Sequence, residues 1–185
     1  MTLKIEIENG LELRLFDLQY AEILTNKVLS NHNHLKDWLP WATKSYSVDS
    51  ATNFVRFSLA AFAKGEAIPM WVFSGEDLIG SVGFNRIESE TGLGEIGYWL
   101  ASDFEGRGIV TKGCSKLIAY AFENTHLRKA VIRCAADNLK SRAVPTRLGF
   151  TEESLVLDGE WIHDKSVDLV IYSLSREEHF LRGNR

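Results

Sequence analysis

The sequence predicts an α+β (α/β) fold, a mixed central β-sheet with helices on both faces. Three observations lead there. Strand-like runs with period-2 alternation and helix-like runs with 3.6-residue periodicity interleave along the whole chain. No repeat, low-complexity tract or linker interrupts them. The 185 residues, 45% of them hydrophobic, suffice for one full core. Residues 1–185 are therefore read as a single domain with a core from about Leu11 to Leu174.

Each element has its own signal. "LELRLF", Leu11 to Phe16, alternates apolar and polar residues as a half-buried strand does. Asp17 is placed to cap a helical pattern running to about Ser30. In "NHNHLKDWLPW", Pro40 has no N–H to donate and ends whatever helix precedes it. Asp49 or Ser50 opens a further helix through Ala63, and Gly65 closes it. "AIPMWVFSGEDLIGSVGFNRIE" reads as a hairpin turning at "SGED", and "GEIGYWLA" adds a third strand to that meander. From Ile109 to Asn124, helical spacing puts Val110, Cys114, Leu117, Ile118, Ala121 and Phe122 on one face. "KAVIRCAAD" is an apolar strand rich in β-branched residues. Asn138 caps a short helix from Leu139 to Leu148, which Gly149 ends. "FTEESLVLDGEWI" and "KSVDLVIYSLS" supply two closing strands.

Composition excludes several functions. A net charge of -4 disfavours a nucleic-acid partner. "MTLKIEIENG" lacks the apolar core of a signal peptide, and no apolar run approaches a membrane span. The two cysteines, Cys114 and Cys134, are too few for a disulfide framework. They read as small buried hydrophobes, and a cytoplasmic setting fits. His32 and His34 lack a Cys or carboxylate cluster at ligand spacing, so they are read as a surface pair and no metal is expected.

The informative stretch is "EIGYWLASDFEGRGIVTKG", Glu95 to Gly113. It sets Gly106 and Gly108 around Arg107, between a strand pattern and a helix pattern. The first N–H groups of a helix lack intrahelical partners, and the helix dipole favours negative charge there. Glycine lets the backbone approach a phosphate and adopt positive φ. Gly106, Arg107, Gly108, Ile109, Val110 and Thr111 can therefore present consecutive donors to a diphosphate, with Lys112 and Lys116 adding positive charge. The turn lacks the Lys-Ser/Thr pair of a Walker loop and the three glycines of a dinucleotide fingerprint. Two glycines alone also suit a plain strand-to-helix connection.

A second block, "AADNLKSRAVPTRLGF" from Ala135 to Phe150, places Asn138, Ser141 and Arg142 in a short helix after an apolar strand. With "FNRIE", "EIGYWL", "GRGI" and "DNLKSRAVPTRLGF" in that order, the chain resembles the GNAT acyltransferase superfamily. Within it the chain is most similar to the Rim-type branch, which acetylates N-terminal amines of ribosomal proteins. The resemblance spans about Leu11 to Leu174. It implies a sheet splayed between its fourth and fifth strands, Gly94–Ala101 and Lys129–Ala135, with acetyl-CoA in the gap. The diphosphate would rest on the backbone of Gly106 to Thr111, and the pantetheine would pair near Trp99 and Leu100. The backbone N–H groups of Trp99 to Ala101 would meet the oxyanion. Glu105 and Val110 depart from the family pattern, which prefers Gln or Arg and Gly or Ala there. Because an inward Glu105 would repel a diphosphate, its side chain is expected to point to solvent.

The resemblance also implies roles. Ser141, in the "N-x-x-S" segment, would protonate the departing thiolate; Asn138 would hold the cofactor; Glu160 in "DGEW" would be the general base. By residue type alone, Asn138 is an N-cap, Ser141 a helix-surface residue and Glu160 a solvated carboxylate. Pro145 should kink its helix and can leave the Ser141 carbonyl without its helical donor. Trp38 and Trp41 either wall the acceptor groove or pin a loop. An α-amine, with a pKa of about 7.7–8.0 against about 10.4 for a Lys ε-amine, needs little help from a base at neutral pH. The implied acceptor is a ribosomal-protein N-terminus. One alternative is a small amine such as an aminoglycoside or polyamine, although residues 25–65 offer only Asp37 and Asp49 to a polycation. Another is a non-catalytic acyl-CoA-binding module, which would not need Asn138 and Ser141. Five Trp and ten Phe suit an interface, and the branch commonly pairs, so a homodimer is expected.

Overall fold

The structure, a computed structural model, describes residues 3–8 and 10–183. Its strands are β1 (Lys4–Glu8), β2 (Leu11–Leu15), β3 (Ile68–Ser74), β4 (Asp77–Ile87), β5 (Leu93–Leu100), β6 (Lys129–Ala135), β7 (Thr151–Ile162) and β8 (Lys165–Ser175). They form one sheet in the order β1-β2-β3-β4-β5-β6-β8-β7. Among the described residues only the β5–β6 pair is parallel, because a helix carries the chain from one to the other. "KIEIE" alternates as cleanly as the strand that follows, yet β1 was not among the expected elements. The strands on either side of the central opening are therefore the fifth and sixth, not the fourth and fifth.

Helices α1 (Ala21–Ser30), α2 (His32–Leu35) and α3 (Val48–Ala63) cross one face, and α4 (Ile109–Asn124) and α5 (Leu139–Arg147) cross the other. Asp17 does cap, but it caps a 3-10 turn, Leu18–Tyr20, that leads into α1, with Gln19 N donating to Asp17 Oδ1 at 3.0 Å. Helix α3 begins a residue or two before the expected start because Ser47 is its cap, accepting from Ser50 N at 3.2 Å. A last helix, α6 (Arg176–Gly183), follows β8. Its signal is a capping box in "SREE": Ser175 N donates to Glu178 Oε2 (2.8 Å) and Glu178 N donates to Ser175 Oγ (3.2 Å).

Strand β3 explains the two-layered core. Met70 and Val72 point to the α4 side with Phe84, Ile96, Leu117 and Phe122, all buried. Trp71 and Phe73 point to the α1/α3 side with Leu24, Val28, Val55 and Trp99. Each face thus gains its own apolar layer, and truncating an aromatic such as Phe122 to Ala is expected to cost about 3–5 kcal/mol.

The sheet opens at one place. β5 and β6 pair from Leu93↔Lys129 to Ile96↔Ile132 and then part. Past that point β5 stays with β4 as far as Gly80↔Leu100, and β6 stays with β8 as far as Ala135↔Leu169. Each strand keeps its outer neighbour and loses the inner one. The backbone groups that line the gap need partners from elsewhere.

Candidate active site

The opening has two faces, set by strand alternation. Ile96, Tyr98 and Leu100 of β5 and Ile132 and Cys134 of β6 point toward α4 and α5. Trp99, on the opposite parity, joins the α1/α3 layer. Gly97 and Glu95 share that parity.

On the α4/α5 face a compact polar group spans the gap. The Tyr98 hydroxyl donates to the Ser141 carbonyl at 3.0 Å and lies 3.1 Å from Ser141 Oγ. Cys134 Sγ is 3.2 Å from the same Oγ. Pro145 explains the first bond: it has no N–H to give the Ser141 carbonyl, so the phenol supplies the missing donor. Burial pushes the Tyr98 phenol well up and the Cys134 thiol up, so both stay protonated at neutral pH. Asn138 is the N-cap, accepting from Ser141 N at 3.0 Å, and this fixes the first turn on which Ser141 stands. Sequence reasoning missed Tyr98; the signal available was that a buried Tyr needs a partner for its hydroxyl.

The glycine turn lies at the far end of β5. Gly106 and Gly108 both have φ of +73°, and a Cβ on Gly106 would meet nothing within 4 Å. The first intrahelical bond of α4 runs from Lys112 N to the Gly108 carbonyl (3.0 Å), so the N–H groups of Gly108 to Thr111 precede the helical ladder. Left-handed residues alternating with right-handed ones are the backbone pattern in which successive N–H groups can form an anion-binding concavity. The charges differ from expectation. Arg107 turns back onto its own loop, donating to the Asp103 carbonyl at 2.8 Å, and Lys112 pairs with Glu8 at 2.7 Å. The backbone remains the main donor. Glu105 does not point freely to solvent. It is half-buried, with Lys140 Nζ at 2.7 Å and His34 Nε2 at 3.3 Å, because a cation from α5 and an imidazole from α2 converge on it. His34 is accordingly half-buried against Glu105.

The α1/α3 face holds the other candidates. Trp41 stands edge-on to Trp99 with centroids 6.4 Å apart and leans on Tyr46 at 5.7 Å. Trp38, half-buried in the turn after α2, stacks on no other ring among the described residues. Glu160 is directly opposite Val167, which points away from Tyr172 and hence away from α5. It is exposed and projects on the side of Trp41, the face opposite Ser141. The "DG" before it is a bulge within β7, between Val156 and Glu160, not a hairpin turn. The tip of the β7–β8 hairpin closes the rim: His163 Nε2 lies 3.1 Å from the Lys36 carbonyl.

Among the described residues no group of three His, Cys, Asp or Glu side chains could hold a metal ion, and no helix is long and apolar enough to cross a membrane.

A sheet opened between parallel strands, with a glycine-marked helix start beyond it, has the layout of an acyl-CoA-dependent transferase. The chain belongs to the GNAT acetyltransferase family, whose domain matches residues 11–151, and it is an acetyltransferase that uses acetyl-CoA. It is 34% identical over 174 residues to YdaF of Bacillus subtilis (strain 168), a protein named for ribosomal N-acetyltransferase activity; the match covers 94% of this chain and 95% of that one. It is 30% identical over 173 residues to the ribosomal-protein-serine acetyltransferase of Escherichia coli (strain K12), covering 94% and 97%. Among solved structures it resembles RimL, a ribosomal L7/L12 alpha-N-protein acetyltransferase, in a complex where coenzyme A is disulfide-bonded to a cysteine of that protein. That match has a TM-score of 0.91 and 28% identity, over 95% of this chain and 99% of the other.

Proposed function

We propose that the chain acetylates the N-terminal α-amine of a ribosomal protein, an acceptor of the L7/L12 kind, by direct attack within a ternary complex. The observation that carries this reading is the division of labour across the opened strands: Ser141 stands on one face, and Trp41 and Glu160 on the other. The names of the similar proteins point to the same acceptor.

Acetyl-CoA, when bound, supplies an activated thioester. The donors at Gly106 to Thr111 hold its diphosphate, and the gap-facing backbone of β5 at Leu100 holds the pantetheine, while the Trp99 carbonyl is turned to Gly80 of β4. The expected row of donors from Trp99 to Ala101 is narrower than the sequence suggested, because the Ala101 N–H is taken by the Ile79 carbonyl at 2.8 Å and Trp99 shares its β4-facing side; the Leu100 N–H, alternate to both, is the one turned to the developing oxyanion. Ser141 gives its hydroxyl proton to the departing sulfur, and Tyr98, neutral and hydrogen-bonded, holds Ser141 in place. Of the two cysteines, Cys134 is the one beside the opening, 3.2 Å from Ser141 Oγ. A thiol reaching that point is within range of Ser141. Glu160 takes the proton of the attacking amine, directly or through water. The whole chain acts as one domain, and its acceptor places it in the cytoplasm.

The same reading includes a homodimer. β7 is an edge strand that exposes Leu155, Val156, Leu157 and Trp161, an apolar edge that a second copy would cover. Light scattering at micromolar concentration should give twice the chain mass; a monomer overturns the dimer. For the acceptor, the test is CoA release with a panel of N-terminal peptides, polyamines and aminoglycosides. Turnover of peptides above small amines is expected, and the reverse order refutes the assignment.

A further inference from the structure

We propose that Asn85 selects the first residue of the acceptor, admitting small side chains and favouring serine by a hydrogen bond to its hydroxyl. This rests on the reading that the acceptor is a protein N-terminus.

Asn85 owes its position to a bulge. Phe84 pairs with Ile96 and Arg86 with Glu95, so Asn85 is the extra residue of β4. A bulge frees one side chain from the regular alternation and re-aims it. Here the amide is laid across Gly97, so closely that a Cβ built on Gly97 would collide with Asn85 Nδ2. Gly97 shares the parity of Trp99, so the amide lies on the acceptor face.

The location matters because Gly97 is the first residue of β5 beyond the last pair with β6. Its neighbour Tyr98 reaches Ser141 on the opposite face at 3.1 Å. Asn85 and Ser141 therefore flank the same stretch of the opening from its two sides. If the thiol departs beside Ser141, the amine arrives beside Asn85, and the side chain of the acceptor's first residue lies against the amide. A larger side chain collides with an amide that already fills the space over Gly97.

The amide is also chemically available. It is exposed and makes no side-chain hydrogen bond among the described residues, so its oxygen can accept and its nitrogen can donate. The charged groups beside it, Glu95 and Arg133, face each other at 3.7 Å across the parting strands. That leaves the neutral amide to read a hydroxyl.

The test is kcat/KM for peptides that differ only in their first residue: Gly, Ala, Ser, Thr, Val or Leu. Wild type should prefer Ser over Leu by at least about tenfold, the scale on which a pocket discriminates by size. Asn85→Ala should reduce that ratio at least about tenfold by admitting Leu. Asn85→Leu keeps the bulk and removes the hydrogen bond, so the Ser-to-Ala ratio should fall toward one while Leu stays excluded. Acetyl-CoA affinity and melting temperature should be unchanged in both variants. Ratios equal to wild type in both variants, or a uniform loss on every peptide, overturn the assignment of Asn85. So does a wild type that acetylates peptides without regard to the first residue. A wild type that acetylates small amines and no peptide overturns the acceptor reading itself.

Discussion

Replacing Gly108 by Val separates the strain of the glycine turn from its chemistry. Gly108 has φ of +73°, and its Cβ would meet only Lys112 Cε, at 4.0 Å, so the cost is backbone conformation and not collision. A left-handed L-residue costs about 1–2 kcal/mol, and a β-branched one belongs at the upper end. For a domain of this size that lowers the melting temperature by about 2–8 °C, short of unfolding it. If the substituted valine relaxes to negative φ, the N–H groups that face the diphosphate turn away; if it does not, its methyls sit over them. Either way the cradle is lost. Gly65→Val is the control. Gly65 has φ of +77° and nothing within 4 Å of its Cβ, and it closes α3, outside the cofactor cradle. Both variants should lose similar stability, and only Gly108→Val should lose acetyl-CoA binding in calorimetry. Wild type should melt about 5–11 °C higher at one hundred times the dissociation constant of acetyl-CoA, corresponding to about 2.7 kcal/mol of linkage, and should respond little to NAD or ATP. A Gly108→Val protein that binds acetyl-CoA within about twofold of Gly65→Val would refute the diphosphate assignment, since removing a shared set of donors should cost more than about tenfold.

Four further outcomes are expected. Ser141→Ala should lower kcat by about a hundredfold, the low end for general acids, with acetyl-CoA affinity nearly intact; unchanged kcat removes Ser141 from the chemistry. Glu160→Gln should lower the rate most at acidic pH, where the amine is protonated, and approach wild type above the amine pKa of about 8; a rise in KM alone would make Glu160 a substrate anchor. Glu105→Gln frees Lys140 from a partly exposed ion pair and removes a negative charge, so acetyl-CoA should bind up to about fivefold tighter, with steeper salt dependence; weaker binding would show that the Glu105 bridge holds the loop in shape. Burial beside Phe122 lowers the pKa of His179, so folding favours its neutral form. That contribution is complete above the unfolded value of 6.5 and is lost as pH falls through the depressed folded value, so His179→Phe should flatten the loss of melting temperature below about pH 6.

Helix α4 was legible because its apolar residues repeat at helical spacing and its start is marked by glycine, and the observed bounds, Ile109–Asn124, are those expected. The parting of β5 and β6 was legible only through the family resemblance. Period-2 alternation shows that a residue faces up or down, not whether its strand has a neighbour. β1 and α6 carried local signals, "KIEIE" and "SREE", and were missed because short terminal segments give periodicity little to count.

By itself the sequence determined most of the elements, the glycine turn and the N-cap at Asn138, all properties of residues a few positions apart. Tertiary structure alone decided the rest. Tyr98 meets Ser141 from 43 residues away, because Pro145 leaves a carbonyl that only a neighbouring strand can satisfy. Glu105 found its partners in two helices distant in sequence, so a negative charge next to a phosphate site is offset by Lys140, with the His34 ring beside it. Asn85 gained its place over Gly97 from a bulge whose register depends on the partner strand. Residue type fixes what a side chain can do, and the fold fixes which other groups are near enough for it to do it.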